Sequence, residues 1–429
     1  MSVAIVVTIV LIVLILLRVP VAFAIFGSAI LGLLMLGGVS SVVSVFEVIP
    51  LSASSSIALT AVPLFIFMAY LVLESGALDA LFSSARILVG RIRGGTGIAA
   101  VAAGAGFASV SGSSTASAAT LAKTSTGAMI DEGYSPRLAT GAVASAGTLA
   151  AVIPPSVLLI FYGITAETNI GKTMLAGLVP GVIMALALGF TVWLMAVRGH
   201  APKGTPFSWS EKLKSIVGLL PVLFLFLIVV AAIFFGVTTA TEAAAVGCLG
   251  GLVLMVLRGR MSVDALRRAV AGTVTNSAMI LAIVVAAKTF GHVLAEARVT
   301  PALVDAIGSM TVAPIVVLLL IMAVYLVMGF FMDQMAIIAL TVPITLPLVT
   351  ELGYDPIWFG VMVILLAEIG LITPPLGINA FVASRVSGVK LETVFLGSIP
   401  FIVAMLVVVL LILFFPEIAL FVPETASAQ

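Results

Sequence analysis

Two Pro-Pro pairs, Pro154-Pro155 and Pro374-Pro375, stand in this chain, and their spacing is shared by everything around them. The offset is 374 − 154 = 220. The same shift carries Gly133-Tyr134-Ser135-Pro136 onto Gly353-Tyr354-Asp355-Pro356. It also carries Phe161 onto Phe381, Thr173 onto Thr393, Gly177 onto Gly397 and Pro180 onto Pro400, with no gap from 133 to 181. The chain therefore holds two copies of one unit. Each copy is broken by prolines inside apolar sequence, the pattern expected of a secondary transporter.

The apolar character is extreme. Of 429 residues, 62% are hydrophobic and 9% charged, and the mean hydropathy is +1.36. A water-soluble fold cannot bury that much apolar surface, so the chain reads as an all-α polytopic membrane protein. At about 20 residues per span, roughly ten to twelve crossings are expected. The first apolar segment has no basic leader or clear cleavage site, and reads as a retained helix. A net charge of +1 gives no case for nucleic acid. The single cysteine, Cys248, excludes an internal disulfide and a cysteine-cluster metal site. His200 and His292 lie far apart, and no phosphate-binding loop is present, so ATP does not drive this subunit directly.

Basic residues mark the cytoplasmic side. Arg86, Arg91 and Arg93 form one cluster. Arg198, Lys203, Lys212 and Lys214 form a second, and Arg258, Arg260, Arg267 and Arg268 a third. Shifted by 220, the segments 86–93 and 198–204 land on 306–313 and 418–424, neither of which holds a basic residue. Copies of opposite orientation explain that loss, and place the C-terminus in the periplasm. The expected organisation is N-terminal scaffold helices over 1–50 and a first inverted repeat over 51–197, with a hairpin near 98–130. A linker and connecting helices follow over 198–271. The second inverted repeat covers 272–421, with a hairpin near 316–350, and a tail ends the chain at 422–429.

The chemistry should sit where the helices break. Ser111-Gly112-Ser113-Ser114 lies between apolar segments. Close helix packing explains many of the neighbouring Ala and Ser residues. Four small polar residues in a row suit a sharp turn instead, the tip of a re-entrant hairpin, tolerated only inside protein or beside water. Pro154 and Pro155 remove two amide donors, which opens the helix and makes the carbonyls near Ala150 and Ile153 candidate cation ligands. In the second copy Ser113 becomes Asp333, a carboxylate in an apolar stretch and so a site candidate. The first tip offers Ser111 and Ser113, and the second the Phe331 carbonyl and Asp333. All-oxygen sites with few charges suit Na⁺ better than a transition metal. A proton carried by Asp333 or Glu368 is the alternative.

Several stretches together resemble the large membrane subunit of tripartite ATP-independent periplasmic (TRAP) transporters. They are Phe107-Ala108-Ser109-Val110-Ser111-Gly112-Ser113-Ser114, Ile153-Pro154-Pro155-Ser156, Ala176-Gly177-Leu178-Val179-Pro180-Gly181, Met332-Asp333 and Ile372-Thr373-Pro374-Pro375-Leu376-Gly377-Ile378-Asn379. The motifs occur in order over nearly the whole chain. The resemblance implies an elevator-type ion-transporter fold of two inverted repeats in the inner membrane, moving substrate with two or more Na⁺ ions and no other cofactor. It implies Na⁺ ligands at Ser111, Ser113, Ala150, Ile153 and Pro155, and at Phe331, Asp333, Gly370, Thr373 and Pro375. Ala150 departs from the family's usual Gly. It implies substrate contacts at Ser114, Thr115, Ser156 and Asn379. The cargo would be a carboxylate delivered by a periplasmic substrate-binding protein, and a small four-helix membrane subunit, not fused here, would be required. A self-sufficient ion- or proton-coupled anion permease of related fold is the rival reading. A membrane enzyme would need a constellation of catalytic groups that the chain does not offer.

Overall fold

The computed structural model describes residues 2–17, 19–111, 113–204, 206–299, 301–302 and 313–426, without the side chains of 2, 16, 78 and 109–111. Among the described residues the elements are all helical. The chain opens with α1 (Ser2–Leu16), α2 (Val21–Ser54), α3 (Ala61–Glu74) and the short α4 (Ala77–Val89). The first hairpin descends as α5 (Gly95–Ser111). It returns as α6 (Ser114–Leu121) and α7 (Gly127–Asp131), joined by one π-helical turn. Next come α8 (Pro136–Gly147), α9 (Val157–Thr165), α10 (Ile170–Ala176) and α11 (Leu178–Met195). Three long helices follow: α12 (Trp209–Phe234), α13 (Ala240–Leu257) and α14 (Val263–Glu296). The second copy is α15 (Pro314–Gly329), α16 (Gln334–Glu351), α17 (Pro356–Gly370), α18 (Ile378–Ser387) and α19 (Leu391–Phe414), with α20 (Glu417–Thr425) at the end.

The 220-residue offset survives in the helix boundaries. The returning arm of the first hairpin runs Ser114–Asp131 and that of the second Gln334–Glu351. Pro136 opens α8 and Pro356 opens α17, each at the first helical turn, where a missing N–H costs nothing. Packing repeats as well. α5 and α6 pack on α8 as α15 and α16 pack on α17. Across the copies, α9 packs on α16 and α6 on α18, so each half's post-proline helix seats the other half's hairpin.

Among the described residues, α8–α9, α10–α11, α12, α13 and α14 lie between the two hairpins, and the repeats are inverted. The three basic clusters gather on one face. Arg268 makes a two-pronged pair with Glu74, Nε to Oε1 at 3.0 Å and Nη2 to Oε2 at 2.5 Å. Arg258 donates to the carbonyls of Gly76 and Gly218. Arg86 pairs with Glu132 at the base of the first hairpin, and the Ser135 N–H donates to the His200 carbonyl at 2.9 Å.

Outside the hairpins, α2 and α3 pack on α14, and α3 on α13, while α14 also packs on α16 and α3 on α5. α2 runs to Ser54, and α14 starts at Val263. α14 holds 34 residues, about 51 Å at 1.5 Å per residue, against a hydrocarbon layer of about 30 Å, whereas α2 is two helical segments that meet at a kink at Gly38 (φ 69°, ψ −159°). The arms of the second hairpin are α15 and α16. Two glycine contacts set how closely helices approach. A Cβ on Gly370 would lie 2.2 Å from the Gly329 carbonyl carbon, and one on Gly397 would lie 2.0 Å from the Arg137 carbonyl oxygen.

Candidate hairpin-tip site

Each tip is built around a helix cap. Ser113 is extended (φ −131°, ψ 116°), and its Oγ lies 3.4 Å from the Ala116 N–H. Asp333 is extended (φ −69°, ψ 150°) and accepts from the Met335 N–H at 3.1 Å. The exchange of Ser for Asp recurs at the hairpin bases. Ser135 accepts from Leu138 N–H at 3.3 Å, and Asp355 from Ile357 and Trp358 N–H at 2.7 and 3.0 Å. Ser and Asp are both strong caps, so capping alone supplies a local reason for Asp333. A carboxylate has further lone pairs beyond the one used in capping. The Ser111 side chain and Gly112 lie outside the described residues.

The proline turns free carbonyls in register. Pro154 and Pro155 have no N–H to offer the carbonyls of Ala150 and Ala151, and Pro374 and Pro375 none to those of Gly370 and Leu371. Three of these four carbonyls accept from another donor. Ala151 accepts from Ser156 Oγ at 2.5 Å, and Leu371 from the Asn379 N–H at 2.9 Å. Gly370 accepts from Thr373 N–H at 3.0 Å and keeps a second lone pair. Both Pro-Pro bonds are cis. The turns differ in burial: Thr148 to Ser156 is wholly buried, whereas Pro374, Pro375 and Leu376 are exposed. Phe331, beside the second turn, is 47% exposed.

The two tips meet at a buried carboxyl group. Ser114 Oγ donates to Glu368 Oε1, and Gln334 Nε2 donates to the same oxygen at 2.6 Å. Gln334 Nε2 also lies 3.4 Å from Ser114 Oγ. Glu368 and Asn379 are both 0% exposed. Glu368 Oε2 and both amide atoms of the Asn379 side chain have no hydrogen-bond partner. Buried polar atoms of this kind are normally satisfied, so they mark places where a polar guest belongs.

Of the four residues expected to meet substrate, Ser114 sits in this triad and Asn379 is buried without a side-chain partner. Thr115 Oγ1 lies 3.3 Å from Ser113 Oγ, within its own tip. Ser156 is committed locally, donating to Ala151 and capping α9 through Leu159 N–H at 3.2 Å. Gln334 is absent from the residues that the sequence singles out. The repeat holds the signal, since 114 + 220 = 334 and equivalent tip residues meet on the axis of an inverted pair. Thr148, the counterpart of Glu368, turns back on its own helix and donates to Ser145 at 2.6 Å.

A cavity of about 150 Å³ lies between Ser113, Ala116 and Met335 at the tips and Tyr70 and Asn276 on the scaffold helices. Among the described residues no three His, Cys, Asp or Glu side chains cluster as a metal site. The donors at the tips are carbonyls, hydroxyls and one carboxylate, the set that suits a hard cation.

Comparison with known proteins agrees with this architecture. The chain is 33% identical over 367 residues to the C4-dicarboxylate TRAP transporter large permease protein DctM of Pseudomonas aeruginosa, covering 85% of this chain and 86% of that one. It is 33% identical over 370 residues to the sialic acid TRAP transporter large permease protein SiaM of Vibrio cholerae, covering 85% and 86%. It is 32% identical over 419 residues to the ectoine/5-hydroxyectoine TRAP transporter large permease protein UehC of Ruegeria pomeroyi, covering 97% and 98%. The crystal structure of the Alcanivorax borkumensis YdaH transporter shares the fold, with TM-score 0.67 and 13% identity over 94% of this chain and 99% of that one. The family model of the DctM component of the tripartite ATP-independent periplasmic transporter matches residues 8–418. With two inverted hairpin repeats, the chain belongs to this family of large permease subunits, integral to the inner membrane.

Proposed function

We propose that the chain imports an organic acid in symport with Na⁺, taking it from a periplasmic substrate-binding protein and working beside a small four-helix membrane subunit. The carrying observation is that two equivalent tip residues, Ser114 and Gln334, meet at one carboxyl group beside two proline turns. Such broken backbone at membrane depth characteristically lines ion and substrate sites. The first cation would be held by the Ser111 and Ser113 region with the carbonyls of Ala150, Ile153 and Pro155. The second would be held by the Phe331 carbonyl, Asp333 and the Gly370, Thr373 and Pro375 turn. The names of two relatives, for C4-dicarboxylate and sialic acid, support a carboxylate cargo.

Transport would proceed by an elevator movement of the hairpin unit against α2, α3 and α12–α14. The packing of α2 and α3 on α14 and of α3 on α13, and the cavity at the seam, favour that division. The test is uptake of labelled acids into proteoliposomes holding the chain and its small subunit. Uptake should require an inward Na⁺ gradient and the loaded binding protein. Equal uptake without the binding protein would favour a self-sufficient permease. Uptake driven by a proton gradient alone would overturn the Na⁺ coupling.

A further inference from the structure

Ten glycines among the described residues take a positive φ, and two other residues join them, Glu167 and Arg298, each at 53°. Arg298 lies beyond the end of α14. Glu167 closes α9, where the Thr168 N–H donates to the Gly163 carbonyl at 3.0 Å, the bond that defines a Schellman turn. Glycine is favoured at that position, because a Cβ strains left-handed backbone. The equivalent helix of the second copy, α18, does end on glycine, Gly388 at φ 72°. Strain of this kind collects where a side chain is used.

Glu167 is exposed and lines a cleft between the hairpin unit and α14. α14 brings Lys288 and His292 to this cleft, and α16 brings Pro343. His292 has Glu296 at 3.8 Å on its own helix. Lys288 is half-buried and follows the apolar run Ile283-Val284-Val285-Ala286-Ala287. It stands 21 residues beyond Arg267 (288 − 267 = 21), about 31 Å along the helix. The two therefore lie at opposite edges of a hydrocarbon layer of about 30 Å. A lysine at the far edge runs against the cytoplasmic bias of basic residues. Among the described residues neither Glu167 nor Lys288 makes an ion pair. One unpaired charge of each sign thus borders the cleft, the acid on the hairpin unit and the base on the helix that faces it.

We propose that Glu167 and Lys288 are the two halves of a latch. They are apart in the arrangement seen here, and they pair when the hairpin unit shifts along α14. The inference rests on the reading of the chain as an importer whose hairpin unit moves against α14. The turn that ends α9 holds the carboxylate at the cleft, and the flexible four-carbon stem of the lysine supplies the reach. A contact made in one arrangement and not in the other favours the first by its own interaction free energy. Closing the cleft also expels water, which strengthens the attraction between the charges. Neither side chain needs to touch cargo. Both are positioning residues, acting through the place of the hairpin unit.

The test is Na⁺-driven uptake of labelled succinate and N-acetylneuraminate into proteoliposomes holding the chain, its small subunit and the loaded binding protein. Glu167→Gly and Lys288→Met should each slow uptake by about two- to fivefold, the range for a partly exposed ion pair. Glu167→Gly relieves the strained turn, so its thermal midpoint should equal or exceed that of the wild type while its uptake falls. Glu167→Lys and Lys288→Glu place like charges across the cleft and should each slow uptake further. The two reversals combined should restore at least about half of the wild-type rate, with unchanged affinity for the binding protein. A merely structural role for either residue would not produce that rescue. Wild-type uptake in both Glu167→Gly and Lys288→Met, or a combined variant no faster than the single reversals, overturns the latch and leaves organic acid import standing. Uptake of neither acid by the wild type overturns both.

Discussion

Ser114 and Gln334 hold the same position in the two repeats, 220 residues apart, and Gln334 Nε2 lies 3.4 Å from Ser114 Oγ. Both donate to one oxygen of Glu368, which is fully buried. The two inverted copies are thus joined at their tips by a group that only the second copy has.

The triad predicts an asymmetry between two substitutions. Glu368→Ala strands two buried donors, and each unsatisfied group costs about 1–3 kcal/mol. Glu368→Gln keeps an acceptor at the same place. Thermal unfolding of the purified protein should show a clear fall in midpoint for Glu368→Ala and a much smaller one for Glu368→Gln. Equal midpoints would mean that the triad does not hold the tips together.

Gly370 and Ala150 occupy equivalent turns yet tolerate different side chains. A Cβ at Gly370 would meet the backbone of Gly329 at 2.2 Å, where α15 ends against α17. Gly370→Ala should therefore cost about 1–3 kcal/mol, the usual range for overpacking. It should reduce the yield of folded protein, while Ala150→Gly should remain close to wild type. Size-exclusion profiles in detergent report both.

The inverted arrangement predicts the faces of two exposed equivalent residues, Asp131 and Glu351. In a Cys248→Ala background, Asp131→Cys should react with a membrane-impermeant maleimide only from the cytoplasmic side. Glu351→Cys should react only from the periplasm. Labelling of both from one face would contradict the inverted arrangement.

Much of this fold is legible in the amino-acid sequence. The offset between the Pro-Pro pairs also fixes the hairpin arms, Ser114–Asp131 and Gln334–Glu351, because both are set by caps and prolines within the repeat. Hydropathy does not show that 312–332 and 335–350 fold back as one hairpin, since an arm and a span bury similar side chains. Nor does it show the length of α14, whose polar first turns extend beyond the apolar stretch. At the site, Asp333 is visible as a charge in apolar sequence. Its capping role is hidden, because caps depend on backbone angles at a turn. The resemblance implies a substrate contact at Ser156, and the sequence does not show that its hydroxyl also donates to the carbonyl that Pro155 frees at Ala151. Gln334 is inconspicuous because an amide in apolar sequence draws little attention until the repeat is applied to it.

The central claim is that the second tip binds a coupling cation through Asp333. Asn caps helices as well as Asp does, so Asp333→Asn removes the charge and keeps the turn. The most direct measurement is the Na⁺ dependence of organic acid uptake in proteoliposomes holding this variant, its small subunit and the loaded binding protein. The account predicts normal insertion, loss of most Na⁺-stimulated uptake, and a reduced Hill coefficient in whatever uptake remains. Wild-type Na⁺ affinity and cooperativity in Asp333→Asn would contradict it.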